Sequence, residues 1–287
     1  MLLKILCYCI AVTVVAAGSL YPPYIAVNNV MEALYKALAT PYDNSSQNVS
    51  LKERNLVSLT PGYLQAKVYT NDTTCNADGT EGLLLVVGVP IGICIVGPAG
   101  ASAKIGYSEE TTTIEGGYQM NVYTFTIYVY LGTSCAFSAV EIIPIPVSDM
   151  PALPASCLNY YDYYVNATEF DTFEYNVNMS LVTEFTSSQT PWASLPEGEF
   201  AFLYTTSSQC TSASSSVSAS TNTGSFYAWF AADQCFNGGI AQCGKYSGST
   251  FISVYDDPYC TGSINETFSF GESLCLSLDE IDTSSFA

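Results

Sequence analysis

Eleven cysteines, 26 carboxylates and no histidine define the chemistry open to this chain of 287 residues. Without histidine there is no Ser-His-Asp or Cys-His catalysis, and no zinc site built on imidazole. The cysteines do not cluster at zinc spacing either; Cys235 and Cys243 stand too far apart for a C-x2-4-C pair. A pair of carboxylates, as in glycoside hydrolysis, is the remaining acid-base device. Glu197 with Glu199, Asp256 with Asp257, and Glu109 with Glu110 are the candidates, and none is set apart from acids that simply face solvent. Neither Lys104 nor Lys245 stands in a Ser-Lys motif. The run Asn71 to Gly82 resembles a calcium loop at Asn76, Asp78 and Gly79, but the first position is then Thr74 and the twelfth Leu85, where the loop needs carboxylates, so the motif fails. The expectation is a protein that is not an enzyme and carries no cofactor or metal.

The cysteines carry the strongest pattern. A Tyr precedes four of them at a spacing of 6, 5, 6 and 5: Tyr69 and Cys75, Tyr130 and Cys135, Tyr204 and Cys210, Tyr255 and Cys260. A second cysteine follows each, at Cys94, Cys157, Cys235 and Cys275. The alternation indicates two tandem halves of two units each, and PGYLQAKVYT matches PEGEFAFLYT while YTFTIYVY matches STFISVY. The spacing predicts four local disulfides, Cys75–Cys94, Cys135–Cys157, Cys210–Cys235 and Cys260–Cys275; crossed pairings are the rival. Cys243 has no counterpart in the first half, where GASAKIGY stands against AQCGKY, so it is the unpaired or intermolecular cysteine. Gly238, Gly239 and Gly244 around it predict an exposed loop; a buried free thiol is the alternative.

The N-terminus has the features of a signal peptide: Lys4, an apolar run from Ile5 to Ala17, and small residues at Ala16-Ala17-Gly18. Its removal takes Cys7 and Cys9 and leaves nine cysteines for an oxidising compartment. It also leaves six basic against 26 acidic residues, a net charge of −20. Such a chain repels phosphate backbones, so nucleic acid is not an expected partner. No polybasic patch addresses a membrane, and the polar C-terminus LDEIDTSSFA offers no lipid-anchor tail. Six N-x-S/T sequons, at Asn44, Asn48, Asn71, Asn166, Asn178 and Asn265, add the expectation of a secreted, extracellular glycoprotein.

The elements that must carry these residues are mainly strands. Charged residues are only 11 %, and the chain is rich in Ser, Thr, Val and its 22 tyrosines, which suits β structure. One helix is predicted over Tyr24 to about Ala39, with Val27, Met31, Leu34 and Leu38 as its apolar stripe and Pro41 as its stop. That stripe packs on a sheet of its own chain or docks on a neighbouring subunit. Gly82 to Ala101 is twenty residues without a charge, long enough to span a membrane as a helix. Its prolines, glycines and β-branched residues predict two buried strands meeting at Pro90-Ile91-Gly92 instead of membrane insertion.

The expected fold is mainly β: two tandem, internally repeated, disulfide-stapled β-sandwich domains with one short N-terminal amphipathic helix. The divisions are a signal peptide (1–18), the helix and a glycosylated connector (19–54), a first domain (55–158), a Tyr-rich extended linker (159–191) and a second domain (192–287). In the linker, Tyr160, Tyr161, Tyr163 and Tyr164 offer either a stacking surface or alternating strand packing. The function expected is structural or adhesive, as a subunit of an extracellular filament, coat or matrix. Its partners would then be copies of itself or other extracellular proteins. A soluble carbohydrate-binding module, taking glycans on exposed tyrosines, is the alternative. Treatment of the secreted protein with peptide N-glycosidase should increase its gel mobility and convert occupied sequon asparagines to aspartate; unchanged mobility would contradict the glycoprotein reading.

Overall fold

The computed structural model describes residues within 30–38, together with 58–70, 75, 79–97, 100–113, 117–136, 138–145, 152–159, 180–196, 198–204, 225–231, 240–246, 249–255, 262–270 and 274–277. The proposed signal peptide, Tyr160 to Tyr164, five of the sequon asparagines (all but Asn265), Cys210, Cys235, Cys260, Glu197, Asp256 and Asp257 lie outside these residues.

The protein is mainly β. The first half contributes β1 (Gly62–Tyr69), β2 (Leu83–Ile91), β3 (Ile95–Val96), β4 (Ala101–Thr113), β5 (Gln119–Leu131), β6 (Glu141–Pro144), β7 (Ala152–Pro154) and β8 (Leu158–Asn159). There follow β9 (Ser180–Thr186), a 3-10 turn at Pro191–Ser194, β10 (Gly198–Tyr204), β11 (Phe226–Ala231), β12 (Ile240–Tyr246), β13 (Ser249–Tyr255), β14 (Ile264–Phe270) and β15 (Leu274–Ser277). They form a seven-stranded sheet, β15-β10-β11-β2-β1-β9-β8, a sheet β3-β4-β5-β6 with β7 also on β5, and a three-stranded sheet, β12-β13-β14.

The uncharged run after Gly82 forms β2 and β3, as its composition predicts. All nine residues of β2 are buried, which explains why its apolar sequence is continuous rather than alternating. Pro90 lies opposite Tyr63 of β1 and beyond the stretch of β2 that pairs with β11, so no ladder bond on that side needs its missing N–H. The chain then turns at Gly92, whose φ of +63° suits glycine. The Gly92 N–H donates to the Ile105 carbonyl at 2.8 Å, carrying the strand from the large sheet onto β4.

The two halves are not separate sheets. β11 pairs antiparallel with β2, matching Tyr227 with Gly88, Ala228 with Val87, Trp229 with Val86 and Phe230 with Leu85. The hairpin β1-β2 and the hairpin β10-β11 thus meet through their second strands, in the order β10-β11-β2-β1. A local two-fold axis through this seam brings Val86 onto Ala228 and Val87 onto Trp229. The stretch expected as a linker supplies structure to the same sheet: β9 runs antiparallel to β1 over seven residue pairs, from Tyr63 with Thr186 to Tyr69 with Ser180. Lys67 of β1 and Glu184 of β9 form an ion pair across that boundary.

In the helical segment, Val30, Leu34, Ala37 and Leu38 are buried and Lys36 is exposed. Leu38 sits against Gly97, where any Cβ would crowd its side chain, so these residues pack at home. Val27 and Met31 lie outside the described residues. Among the described residues no helix is long and apolar enough to cross a membrane.

The disulfides correct the local pairing. Cys75 joins Cys157 and Cys94 joins Cys135, with Cα separations of 5.9 and 5.7 Å. The second bridge is nested inside the first. The reason is strand length. Cys75 follows β1 at the turn end of the β1-β2 hairpin, and Cys94 follows β2 at the opposite end. A nine-residue strand separates those ends by roughly 30 Å at about 3.4 Å per residue, far beyond the Cα separation a disulfide allows. Cys135 closes the bridge in a left-handed conformation (φ 47°), with its N–H donating to the Ser102 hydroxyl at 3.0 Å. The loop expected around Cys243 is also corrected: Cys243 lies on β12 opposite Ile252, with Gly244 opposite Phe251.

The seam has one tight requirement. Gly88 lies opposite Tyr227, and a Cβ on Gly88 would overlap the tyrosine ring. Gly88→Ala should therefore lower stability by about 1–3 kcal/mol through overpacking. Chemical denaturation followed by tryptophan fluorescence measures this, because both tryptophans of the chain, Trp192 and Trp229, belong to the cluster packed there.

Candidate functional surface

Two groups of polar and aromatic side chains are built by these strands. The first lies inside the seven-stranded sheet. Tyr63, Trp192, Phe202 and Tyr227 pack edge to face: the Tyr63 and Trp192 centroids are 5.5 Å apart, Trp192 and Tyr227 5.4 Å, and Trp192 and Phe202 5.4 Å. Trp192 Nε1 is buried without a hydrogen-bond partner among the described residues, but the polar atoms of Tyr63, Tyr227 and the neighbouring Trp229 are bonded across the fold. Gln65 donates from Nε2 to the Tyr227 hydroxyl, Tyr63 donates to the Ser225 carbonyl at 3.0 Å, and Trp229 Nε1 donates to the Pro196 carbonyl at 3.2 Å. Burial pushes the Tyr227 hydroxyl well above the usual tyrosine range; the bond from Gln65 opposes this and the charge of Glu184 adds to it. Tyr227 is therefore a neutral hydroxyl, and this group binds strands together rather than presenting reactive atoms to solvent.

The second group opens to solvent. β4 and β5 pair over thirteen residues each, from Ala101 with Leu131 to Thr113 with Gln119. One face of this hairpin begins with buried Ala103, Val129, Ile105, Ile127, Tyr107 and Phe125. It continues as a polar ladder: Glu109 opposite Tyr123, Thr111 opposite Asn121, Thr113 opposite Gln119. Thr111 donates from Oγ1 to Asn121 Oδ1 at 2.8 Å, Asn121 Nδ2 donates to the Tyr123 hydroxyl at 3.3 Å, and Gln119 Nε2 donates to Thr113 Oγ1 at 2.7 Å. Tyr123 and Asn121 are buried while Glu109, Thr111 and Thr113 are exposed, so the ladder runs from the interior outward. Tyr107 lies between Tyr123 and Phe185 of β9, at centroid distances of 5.8 and 5.9 Å.

Desolvation raises the Glu109 carboxyl above its ordinary value. Desolvation also raises Tyr107 and, far more, Tyr123, and the negative charge of Glu109 adds to both. The surface offers neutral hydroxyls, the two amides of Asn121 and Gln119 and one carboxylate, a set suited to hydrogen-bonding a polar ligand. As a carboxylate pair it fails: Glu109 and Glu110 are adjacent on one strand and so project to opposite faces of the sheet. Glu199 lies on β10, apart from this hairpin. Among the described residues no three His, Cys, Asp or Glu side chains come together as a metal site.

Asn265 lies on β14, one of the two outer strands of the three-stranded sheet, next to exposed Ile264. Gln65, Asn121 and Tyr123 escape a reading by motif because each is an ordinary strand residue. Their signal is cross-strand register, which becomes visible only once the hairpins are paired. No protein-family model, no curated protein and no solved structure matches this chain.

Glu109 gives a pH test. Its carboxyl titrates higher folded than unfolded, so ionising it costs stability, and that cost grows as pH rises through the unfolded and then the folded value. Glu109→Gln should raise the melting temperature at pH 7 and leave it unchanged at pH 3. A loss of stability at pH 7 would show that the carboxylate is favourably bound.

Proposed function

We propose that this is a secreted, glycosylated structural or adhesive protein, a subunit of an extracellular filament, coat or matrix. The observation that carries the reading is how its polar side chains are used. Gln65 with Tyr227, Tyr63 with Ser225, Trp229 with Pro196 and Lys67 with Glu184 each join one strand or segment to another across the large sheet. A buried polar group satisfied in this way stiffens and specifies the fold. Two nested disulfides add restraint, each worth about 4 kcal/mol in the loop-entropy account, with sequence separations of 82 and 41 residues. This describes a rigid, stapled body with few charges on its surface, the properties of an assembled subunit.

Self-association is expected along β12. Among the described residues β12 pairs with β13 alone, and it carries the unmatched Cys243. The opposite outer strand, β14, carries the Asn265 sequon, and a glycan there would block lateral strand pairing. The second reading, a carbohydrate-binding module, is favoured by the solvent-facing ladder of Glu109, Thr111, Thr113 and Gln119. Sizing of the native secreted protein separates the two. Assembly predicts large particles and bands that collapse to monomer on reduction or in Cys243→Ser; a monomer retained on a glycan resin supports the module instead.

A further inference from the structure

We infer that the second half repeats the nested disulfide pattern of the first, joining Cys210 to Cys275 and Cys235 to Cys260. The strand ends carry the argument. Cys75 follows the end of β1 by six residues and Cys210 follows the end of β10 by six. Cys94 follows β2 by three and Cys235 follows β11 by four; Cys135 follows β5 by four and Cys260 follows β13 by five. In both halves the first two cysteines stand beyond opposite ends of an antiparallel hairpin, β1-β2 or β10-β11. β11 alone is six residues long, roughly 20 Å at about 3.4 Å per residue. That length opposes Cys210–Cys235 as the length of β2 opposes Cys75–Cys94. β14, seven residues long, stands in the same way between Cys260 and Cys275.

A separate observation fixes the outer bridge. β15 runs parallel to β10, with Cys275 opposite Phe202 and Ser277 opposite Tyr204. Cys275 is thus two residues from the end at which the chain leaves β10 toward Cys210. Cys235 emerges beyond Ala231, which lies opposite Gly198 at the other end of β10. With Cys275 committed to Cys210, the inner pair is Cys235 with Cys260, the counterpart of Cys94 with Cys135. Each bridge forms by oxidation of two thiols, with loss of two protons and two electrons to the thiol-disulfide oxidants of the secretory compartment. Cys243 on β12 takes no part in either.

Non-reducing digestion of the secreted full chain tests this. Chymotrypsin is the suitable protease: no Lys or Arg lies between Lys104 and Lys245, whereas Phe226, Tyr227, Trp229 and Phe230 separate Cys210 from Cys235, and Phe268 and Phe270 separate Cys260 from Cys275. Mass spectrometry should find peptides joining Cys210 to Cys275 and Cys235 to Cys260, beside Cys75 to Cys157 and Cys94 to Cys135. In a Cys210→Ser variant, alkylation under denaturing, non-reducing conditions should newly label Cys275 and leave Cys235 and Cys260 unlabelled. Any other partner for these four cysteines, Cys243 included, overturns the assignment, as does new labelling of Cys235 in that variant.

Discussion

The pairing of β2 with β11 is the interaction on which the rest of this structure depends. It makes one sheet from strands more than 130 residues apart in the chain, with four matched residue pairs from Tyr227 with Gly88 to Phe230 with Leu85. Long-range pairing of this kind has a large loop-closure cost and so must be specified by side chains as well as backbone. The specification is visible in the contacts. Gly88 leaves room for the Tyr227 ring, Gln65 donates to the Tyr227 hydroxyl from β1 on the far side of β2, and Tyr63 and Trp192 enclose that ring. Aromatic pairs in such edge-to-face geometry add about 0.5–1.5 kcal/mol each beyond the area they bury.

Strand direction also organises the covalent staples. A disulfide joins what the sheet has already brought within reach. In a hairpin whose strands run from end to end of the sheet, successive cysteines emerge at opposite ends, and partners are found between hairpins rather than within one. Cys94 therefore reaches past β4 and β5 to Cys135, and Cys75 reaches to Cys157 just before β8. Nested bridges hold the ends of the first half together around the β4-β5 hairpin, so the disulfides and the seam reinforce different parts of the fold.

Much of the architecture was legible in the residues. Composition indicated strands, and the uncharged run at Gly82 to Ala101 resolved into β2 and β3 on either side of the turn at Gly92. The Tyr-to-Cys spacing marked where strands end, since Tyr69, Tyr204 and Tyr255 each close a strand and Tyr130 is the penultimate residue of its own. What the spacing could not show was which strand ends are neighbours. Adjacent cysteines suggested local bridges because sequence distance hides the length of the intervening strand. The same limit concealed the polar ladder, whose members Thr111, Asn121 and Tyr123 are brought together by register alone. β9 was hidden for another reason: SLVTEFT is short and half polar, and it is a strand because β1 offers it a paired edge and Lys67 a partner for Glu184. The glycines around Cys243 suggested a loop, yet β13 holds that stretch as a strand.

The central claim is that one seam unites the two halves. Native-state hydrogen exchange on the full chain tests it most directly, by following the amides of residues 85–88 and 227–230 in increasing denaturant. The account predicts that both sets exchange through a single cooperative opening, with equal free energies that fall together in Gly88→Ala. Exchange of 227–230 at a lower free energy than 85–88, with 85–88 unaffected by the loss, would contradict it.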